Sequence, residues 1–375
     1  MSERKMGLVL TGGGARGAYQ AGALSALLEI AQPHFKSWPF PVITGTSAGA
    51  INASYIASEI LDRPMAQLAD DLVELWSDIK TRNVFRSDPV SVAWNGVKWM
   101  KMLSAGGLFP SKRGFALFNA TPLRMFLERH MDISKIERSI ARGALRGIGI
   151  TSVCYNSGVS RTFYQGSSEL KDWHRTQRHG ERHKIGLQHI MASASIPIFF
   201  PPIKIGEKFY GDGSLRDYTP LSPAIKMGAE KLIVIGVRKS YKHVEEHLGA
   251  PGPAKIFSLI LNGLLLDSLD LDLERLHRIN QTVGGLDSPA DFKLKKVDTL
   301  VLCPSQDIGG IAERHFDELP VSLKYFINGL GKPEDTADLI SYILFESGFT
   351  GDLIELGRKD VYAQKKKVLD YLLME

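Results

Sequence analysis

The sequence has little of what would set it outside the ordinary globular proteins. It has 2 cysteines in 375 residues, too few for a disulfide scaffold. Each closes a strand-like run, Cys154 after Ile148 to Val153 and Cys303 after Leu300 to Leu302, so the expectation is reduced, buried thiols in a cytosol-like compartment. No stretch approaches the ~18 uninterrupted apolar residues of a membrane-spanning helix. The opening MSERKMGLVLTGGG turns into a strand and a glycine loop before it can build the apolar core of a signal peptide. A cytoplasmic protein without signal peptide or transmembrane helix is expected, peripheral to a membrane at most. Charge excess is small: 46 basic against 41 acidic residues give +5. That is no nucleic-acid footprint, although it is compatible with an anionic membrane surface. Repeats and low-complexity tracts are absent, and nothing bears on oligomeric state. With 44% apolar and 23% charged residues, a sizeable core is expected, in one large domain or two small ones.

What is present is glycine at particular places. Pro41 to Thr44 reads as a short buried strand, and Ala48 to Ala53 as the start of a helix lined with small residues. Between them, Gly45-Thr46-Ser47-Ala48-Gly49 is a G-x-S-x-G pentapeptide. Between a strand and a helix this is the nucleophile elbow, a turn so tight that the serine hydroxyl stands above the sheet. Gly45 and Gly49 are needed because a Cβ there would collide with the neighbouring strand or helix. The helix N-terminus directs free N–H groups at the serine.

Upstream, Met6 to Thr11 reads as a buried strand and Ala18 to Ala31 as a helix, with Gly22 allowing close packing. Between them lies Gly12-Gly13-Gly14-Ala15-Arg16-Gly17. Gly12, Gly14 and Gly17 fit the dinucleotide fingerprint G-x-G-x-x-G. That reading requires an acid at the end of the second strand, where Gly45-Thr46-Ser47 stands instead. The alternative is an oxyanion hole, backbone N–H groups aimed where a carbonyl oxygen becomes negative. A glycine loop beside an elbow favours it.

Leu61 to Lys80 reads as a helix. Val90 to Met125 is rich in large apolar groups, read as helices covering the core or as a lid meeting lipid. Gly147 to Tyr155 and Arg161 to Gln165 read as strands, and Lys171 to Lys184 as a solvated basic loop. His179 and His183 in that loop have metal-like spacing but no third ligand, so no metal site is expected. Ile203 to Ile205 and Lys208 to Tyr210 form a predicted hairpin that delivers Asp212 between Gly211 and Gly213. Ser222 to Ala229 reads as a short helix and Lys231 to Val237 as a buried strand. Ala254 to Asn280 reads as one long amphipathic helix, Asp298 to Cys303 as a last strand, and the chain from Leu319 as mainly helical. The tail with Lys365, Lys366 and Lys367 reads as a docked helix, or as a contact to an acidic membrane surface.

These pieces together resemble the patatin-like phospholipase family in its bacterial members. Gly12 to Gly17 resembles the family's oxyanion loop, Gly45 to Gly49 its elbow, and Asp212-Gly213 the start of its D-G-(G/A) motif. The run Ala192 to Pro202 leading to Asp212 is also similar. Ser214 departs from the family's usual Gly or Ala. The resemblance implies a three-layer α/β/α fold with a mainly parallel central sheet, and a Ser–Asp dyad instead of a triad. It implies hydrolysis of lipid acyl esters, of phospholipase A or lysophospholipase type, without metal or cofactor. Ser47 carries over as nucleophile, Asp212 as base, and Gly12 to Arg16 as the oxyanion loop. The catalytic domain is expected over 1–240, with a mainly helical region over 241–375 packed on it.

The residues themselves agree with this assignment. A serine hydroxyl needs a base within hydrogen-bond reach. His243, His247, His277 and His315 lie beyond Asp212 but have no neighbouring motif, and His189 reads as structural. Asp212 is then the candidate base, helped by desolvation from Phe199, Phe200, Phe209 and Tyr210. Backbone N–H groups of Gly13, Gly14 and Ala48 would hold the oxyanion. Arg16 either braces the glycine loop or attracts a lipid phosphate. The expected partner is a phospholipid or lysophospholipid. The competing readings are a dinucleotide-binding oxidoreductase and a non-catalytic lipid-binding protein.

Overall fold

Every residue of β1 (Met6–Leu10), β2 (Val42–Thr46), β3 (Gly147–Cys154) and β9 (Lys231–Ile235) is buried. That is the mark of strands covered on both faces. The structure, a computed structural model, describes residues 5–86, 116–239, 252–285 and 294–374. Its other strands are β4 (Val159–Gly166), β5 (Trp173–Arg175), β6 (Arg178–Arg182), β7 (Ile203–Ile205), β8 (Lys208–Asp212) and β10 (Asp298–Leu302). Among the described residues they form one sheet in the order β10-β9-β1-β2-β3-β4-β6-β5, with the β7–β8 hairpin attached to β3. From β10 to β3 all pairings are parallel, and β4, β5, β7 and β8 bring in the antiparallel ones.

The helices are α1 (Gly17–Ala31), α2 (Ala48–Glu59), α3 (Met65–Asp78), α4 (Thr81–Val84), α5 (Thr121–His130), α6 (Lys135–Ala141), α7 (Leu187–Ser193) and α8 (Ser222–Lys226). They continue with α9 (Pro253–Leu265), α10 (Ser268–Gly284), α11 (Ile308–Arg314), α12 (Val321–Leu330), α13 (Pro333–Ile343), α14 (Ser347–Ala363) and α15 (Lys365–Leu373). Alternate side chains of the strands enter different layers. Ile233 and Ile235 of β9 join a core with α1, α2 and α14, whereas Leu232 and Val234 join one with α8 and α10. The fold is therefore α/β, with helices on both faces of a mostly parallel sheet.

The first helix packs against the C-terminal part of the chain through glycine. A Cβ on Gly22 of α1 would lie 2.0 Å from the Ile354 carbonyl oxygen, and one on Gly357 would lie 2.3 Å from that of Tyr19. The two helices thus touch backbone to backbone, as the Gly22 reading expected. The terminal helix α15 buries Val368 and Leu372, in keeping with a docked tail.

Three expectations need correction. Lys171 to Lys184 is no solvated loop but contains β5 and β6, because Trp173 stacks on Tyr164 and covers Gly180, where a Cβ would meet its ring at 2.1 Å. The helix read over Ala254 to Asn280 is two helices, broken at Leu266 and Asp267, where Asp267 pairs with Arg238. Both cysteines are free, but only Cys154 is buried, and Cys303 is half-buried. Most of the aromatic stretch 90–125, and His243 and His247, lie outside the described residues.

Candidate active site

Ser47 sits between the end of β2 and the start of α2 with φ 54° and ψ −123°. A non-glycine residue there is strained by about 1–3 kcal/mol and persists only where its surroundings hold it. A Cβ on Gly45 would stand 2.2 Å from the Gly49 carbonyl oxygen, and one on Gly49 would stand 2.2 Å from that of Leu10. Ser47 N–H donates to Ser193 Oγ at 2.9 Å, and that hydroxyl donates to the Thr151 carbonyl at 2.6 Å. The preceding Thr46 donates its hydroxyl to Asp217 Oδ2 at 3.0 Å. The elbow is thereby clamped from α7 on one side and from the segment after β8 on the other.

Asp212 ends β8, opposite Ser152 of β3. Its N–H donates to the Ser195 carbonyl at 2.9 Å, and its Oδ1 accepts from Ser214 N–H at 2.9 Å. Its Oδ2 is buried and has no hydrogen-bond partner among the described residues. Burial pushes this carboxyl up to about 6, against the opposing pull of the Ser47 hydroxyl and of Ser214. The Ser47 hydroxyl thus acts on the Asp212 carboxyl although no fully formed hydrogen bond joins them. Beside the pair, partial desolvation and then the Asp212 charge push the phenol of the exposed Tyr155 up to about 12.

The glycine loop closes over the serine. A Cβ on Gly12 would lie 3.0 Å from Ser47 Cβ and 2.2 Å from Ser214 Oγ. Gly14 has φ 58°, and a Cβ there would strike the Tyr342 carbonyl oxygen at 2.3 Å. Gly17 opens α1 against Trp76 and Ala48, and a Cβ on it would be 2.7 Å from Ala48 Cβ. Ala15 is buried within the short helical turn Gly14–Arg16. The amides of Gly13, Gly14 and Ala48 have no hydrogen bond among the described residues. The Arg16 side chain is buried and directed into the protein. It donates to Ser341 Oγ at 2.8 Å and to Asp338 Oδ1 at 2.9 Å, with its guanidinium over the Tyr342 ring. These contacts belong to a brace of the loop.

Two cavities flank this centre. An apolar one reaches Ser47 and is lined by Ile51, Trp76, Ile196, Phe200 and Phe345. A second, of mixed polar and apolar lining, is bounded by Thr46, Ser214, Asp217, Arg238, Leu265 and Leu269. Burial pushes Asp217 up to about 7, further raised by Asp272, and Asp272 itself to about 6. Arg178 opposes both shifts. Of the other titratable candidates, His189 is buried, accepts from Gly186 N–H and is pushed down to about 4. His315 is engaged by Glu318 and Asp352. Among the described residues no group of three or more His, Cys, Asp or Glu could hold a metal, and no helix is long and apolar enough to cross a membrane.

The structure thus brings Ser47, Asp212, Gly12 and Ala48 together. Sequence reasoning missed Ser193, Tyr155 and Asp217. Ser193 was visible only as one serine of a small-residue run, and neither of the others has a spacing that marks it.

The family model described as Patatin-like phospholipase matches residues 8–225. No curated protein matches. Solved structures similar to the chain include VipD from Legionella pneumophila, at 10% identity and TM-score 0.30, covering 94% of this chain and 67% of that one. Another is human GIVD cytosolic phospholipase A2 in complex with methyl gamma-linolenyl fluorophosphonate, at 12% identity and TM-score 0.37. The match covers 99% of this chain, which spans 60% of the length of the human one.

Proposed function

The chain belongs to the patatin-like phospholipase family, and on that premise we propose that it is a serine lipid acyl hydrolase of phospholipase A or lysophospholipase type. Ser47 is the nucleophile and Asp212 the base, with 1–240 as the catalytic domain and 241–375 packed on it. The observation that carries the reading is a strained serine, Ser47, beside a buried carboxyl whose Oδ2 has no hydrogen-bond partner among the described residues.

Ser47 Oγ attacks the ester carbonyl carbon while Asp212 Oδ2 accepts its proton. The amides of Gly13, Gly14 and Ala48 hold the oxyanion, a role typically worth ~10²–10³ in rate per donor. The tetrahedral intermediate collapses, and the departing alcohol takes the proton from Asp212. Water then attacks the acyl-Ser47 ester and gives its proton to Asp212; the second intermediate collapses, Ser47 Oγ takes that proton back, and the fatty acid leaves. A carboxyl raised to about 6 is a better base near neutrality than one at its ordinary value. The acyl chain occupies the apolar cavity, where each buried methylene contributes about 0.8 kcal/mol.

The test is covalent labelling by a fluorophosphonate probe, followed by mass spectrometry of the products from mixed phospholipids and lysophospholipids. Labelling at Ser47 with release of free fatty acid is expected. A chain that neither labels at Ser47 nor releases fatty acid would falsify the reading.

A further inference from the structure

Ile198 is a β-branched residue with φ 73°, a conformation in which such residues are outliers that mark strain. It follows Pro197 in a turn closed by Phe200 N–H donating to the Ile196 carbonyl at 2.9 Å. A corner of this kind is ordinarily filled by Gly or Asn. Instead it carries a large apolar side chain that is 38% exposed. The residue is thus unfavourable twice, in its backbone and in its contact with water.

Its neighbours show what the corner adjoins. Ile196 and Phe200, on either side of it, both line the apolar cavity that reaches Ser47. The turn is held rigidly. Leu117 N–H donates to the Ile198 carbonyl and Phe118 N–H to that of Phe199, each at 2.8 Å. Phe118 stacks on Phe85 with ring centroids 4.4 Å apart, and Phe85 meets Phe200 at 5.8 Å. Ile196 and Phe200 are therefore wall to the cavity, and Ile198 stands between them in sequence with its side chain open to solvent.

We propose that Ile198 is the lip of the acyl cavity and a specificity-determining residue, selecting longer acyl chains by touching the part of the chain that emerges from the cavity. The proposal rests on the hydrolase reading. Without substrate the isoleucine faces water. With a long chain bound, isoleucine and chain cover each other. A short chain ends inside the cavity and gains nothing from the lip.

The test compares the unaltered chain with Ile198→Asn and Ile198→Gly on p-nitrophenyl butyrate and p-nitrophenyl decanoate, both dissolved as monomers. Asn and Gly accept the positive φ and remove the apolar surface. Both variants should melt at a higher temperature than the unaltered chain, which shows that they fold. In both, kcat/KM for the decanoate should fall about tenfold, while that for the butyrate stays within about twofold. An unchanged decanoate-to-butyrate ratio, or an equal loss on both esters, overturns the proposal. Fluorophosphonate labelling of Ser47 in the unaltered chain separates the two readings. Labelling with an unchanged ratio sinks the lip alone, and a chain that neither labels nor hydrolyses either ester sinks the hydrolase and the lip together.

Discussion

Thr46 and Asp212 stand opposite consecutive residues of one strand, Thr46 opposite Thr151 and Asp212 opposite Ser152 of β3. The strands β2 and β8 arrive from opposite directions along the same edge of β3 and end head to head there. Ser47 is the next residue after Thr46, so serine and carboxylate meet through backbone register. A slip of one residue would send the Asp212 side chain to the other face.

If Ser47 and Asp212 are the reacting pair, removing either disables the chemistry in a different way. Ser47→Ala should lower kcat by about 10⁴-fold or more and abolish fluorophosphonate labelling. Asp212→Asn should keep the fold and the serine but lose the proton acceptor, at a cost of about 10²–10⁴-fold in rate. Labelling by the probe should slow in parallel. An Asp212→Asn variant that labels at the original rate would remove the carboxylate from the mechanism.

The activity should depend on pH through the same carboxyl. Asp212 must be ionised to accept a proton, and burial raises its pKa to about 6. Hydrolysis should therefore be weak well below pH 6, rise through that region and level off above it. A profile of kcat/KM against pH on a neutral ester checks this. A limb centred near the ordinary carboxylate value would mean that the site is wetter than its burial implies.

How far the sequence alone reached depends on how local the physics is. Gly45, Gly49 and Gly22 were legible because only glycine fits where backbone meets backbone, and that requirement stands in the sequence itself. The hairpin before Asp212 was legible for another local reason, since its turn needs the positive φ of Gly206, 60°. The bond from Thr46 to Asp217 joins residues 171 apart, and no spacing rule reaches that far. The strands β5 and β6 were hidden by their charges, since only the stacking of Trp173 on Tyr164 shows that this basic segment extends the sheet. The break between α9 and α10 was hidden because both helices are amphipathic, so the apolar period runs on through Leu266.

Asp217 offers a test in stability. Burial and the neighbouring Asp272 raise its pKa from 3.8 to about 7. The folded chain thus holds this proton more tightly than the unfolded one. The group costs nothing below about pH 3.8, where both states are protonated, and its cost grows as pH rises to about 7. At roughly 1.4 kcal/mol per pH unit, the full cost above pH 7 is on the order of 4 kcal/mol. Asp217→Asn keeps an acceptor for Thr46 and removes the ionisation. The variant should be more stable than the unaltered chain above pH 7, with the difference shrinking towards pH 4. Urea unfolding of both proteins across that range measures it, and a difference independent of pH would contradict the assignment.

Gly12 and Ser214 make the sharpest packing prediction, because Ser214 stands where the family usually has Gly or Ala. A methyl group on Gly12 would lie 2.2 Å from Ser214 Oγ and 3.0 Å from Ser47 Cβ. The first contact forces a shift, and the second moves the nucleophile. Gly12→Ala should destabilise the chain by about 1–3 kcal/mol and lower kcat, since Ser47 must give way to the 3.0 Å contact. Ser214→Gly removes the hydroxyl in the way. Combined with Gly12→Ala it should restore most of the stability, but only part of the activity, since the contact to Ser47 remains. A double-mutant cycle should give a coupling of about 0.5–3 kcal/mol in stability. It also yields a second reading: losing the Ser214 hydroxyl removes one of the groups that lower the Asp212 pKa. The acid limb of the Ser214→Gly activity profile should then lie at higher pH than in the unaltered chain. Additive effects of the two substitutions would mean that something other than Ser214 requires glycine at position 12.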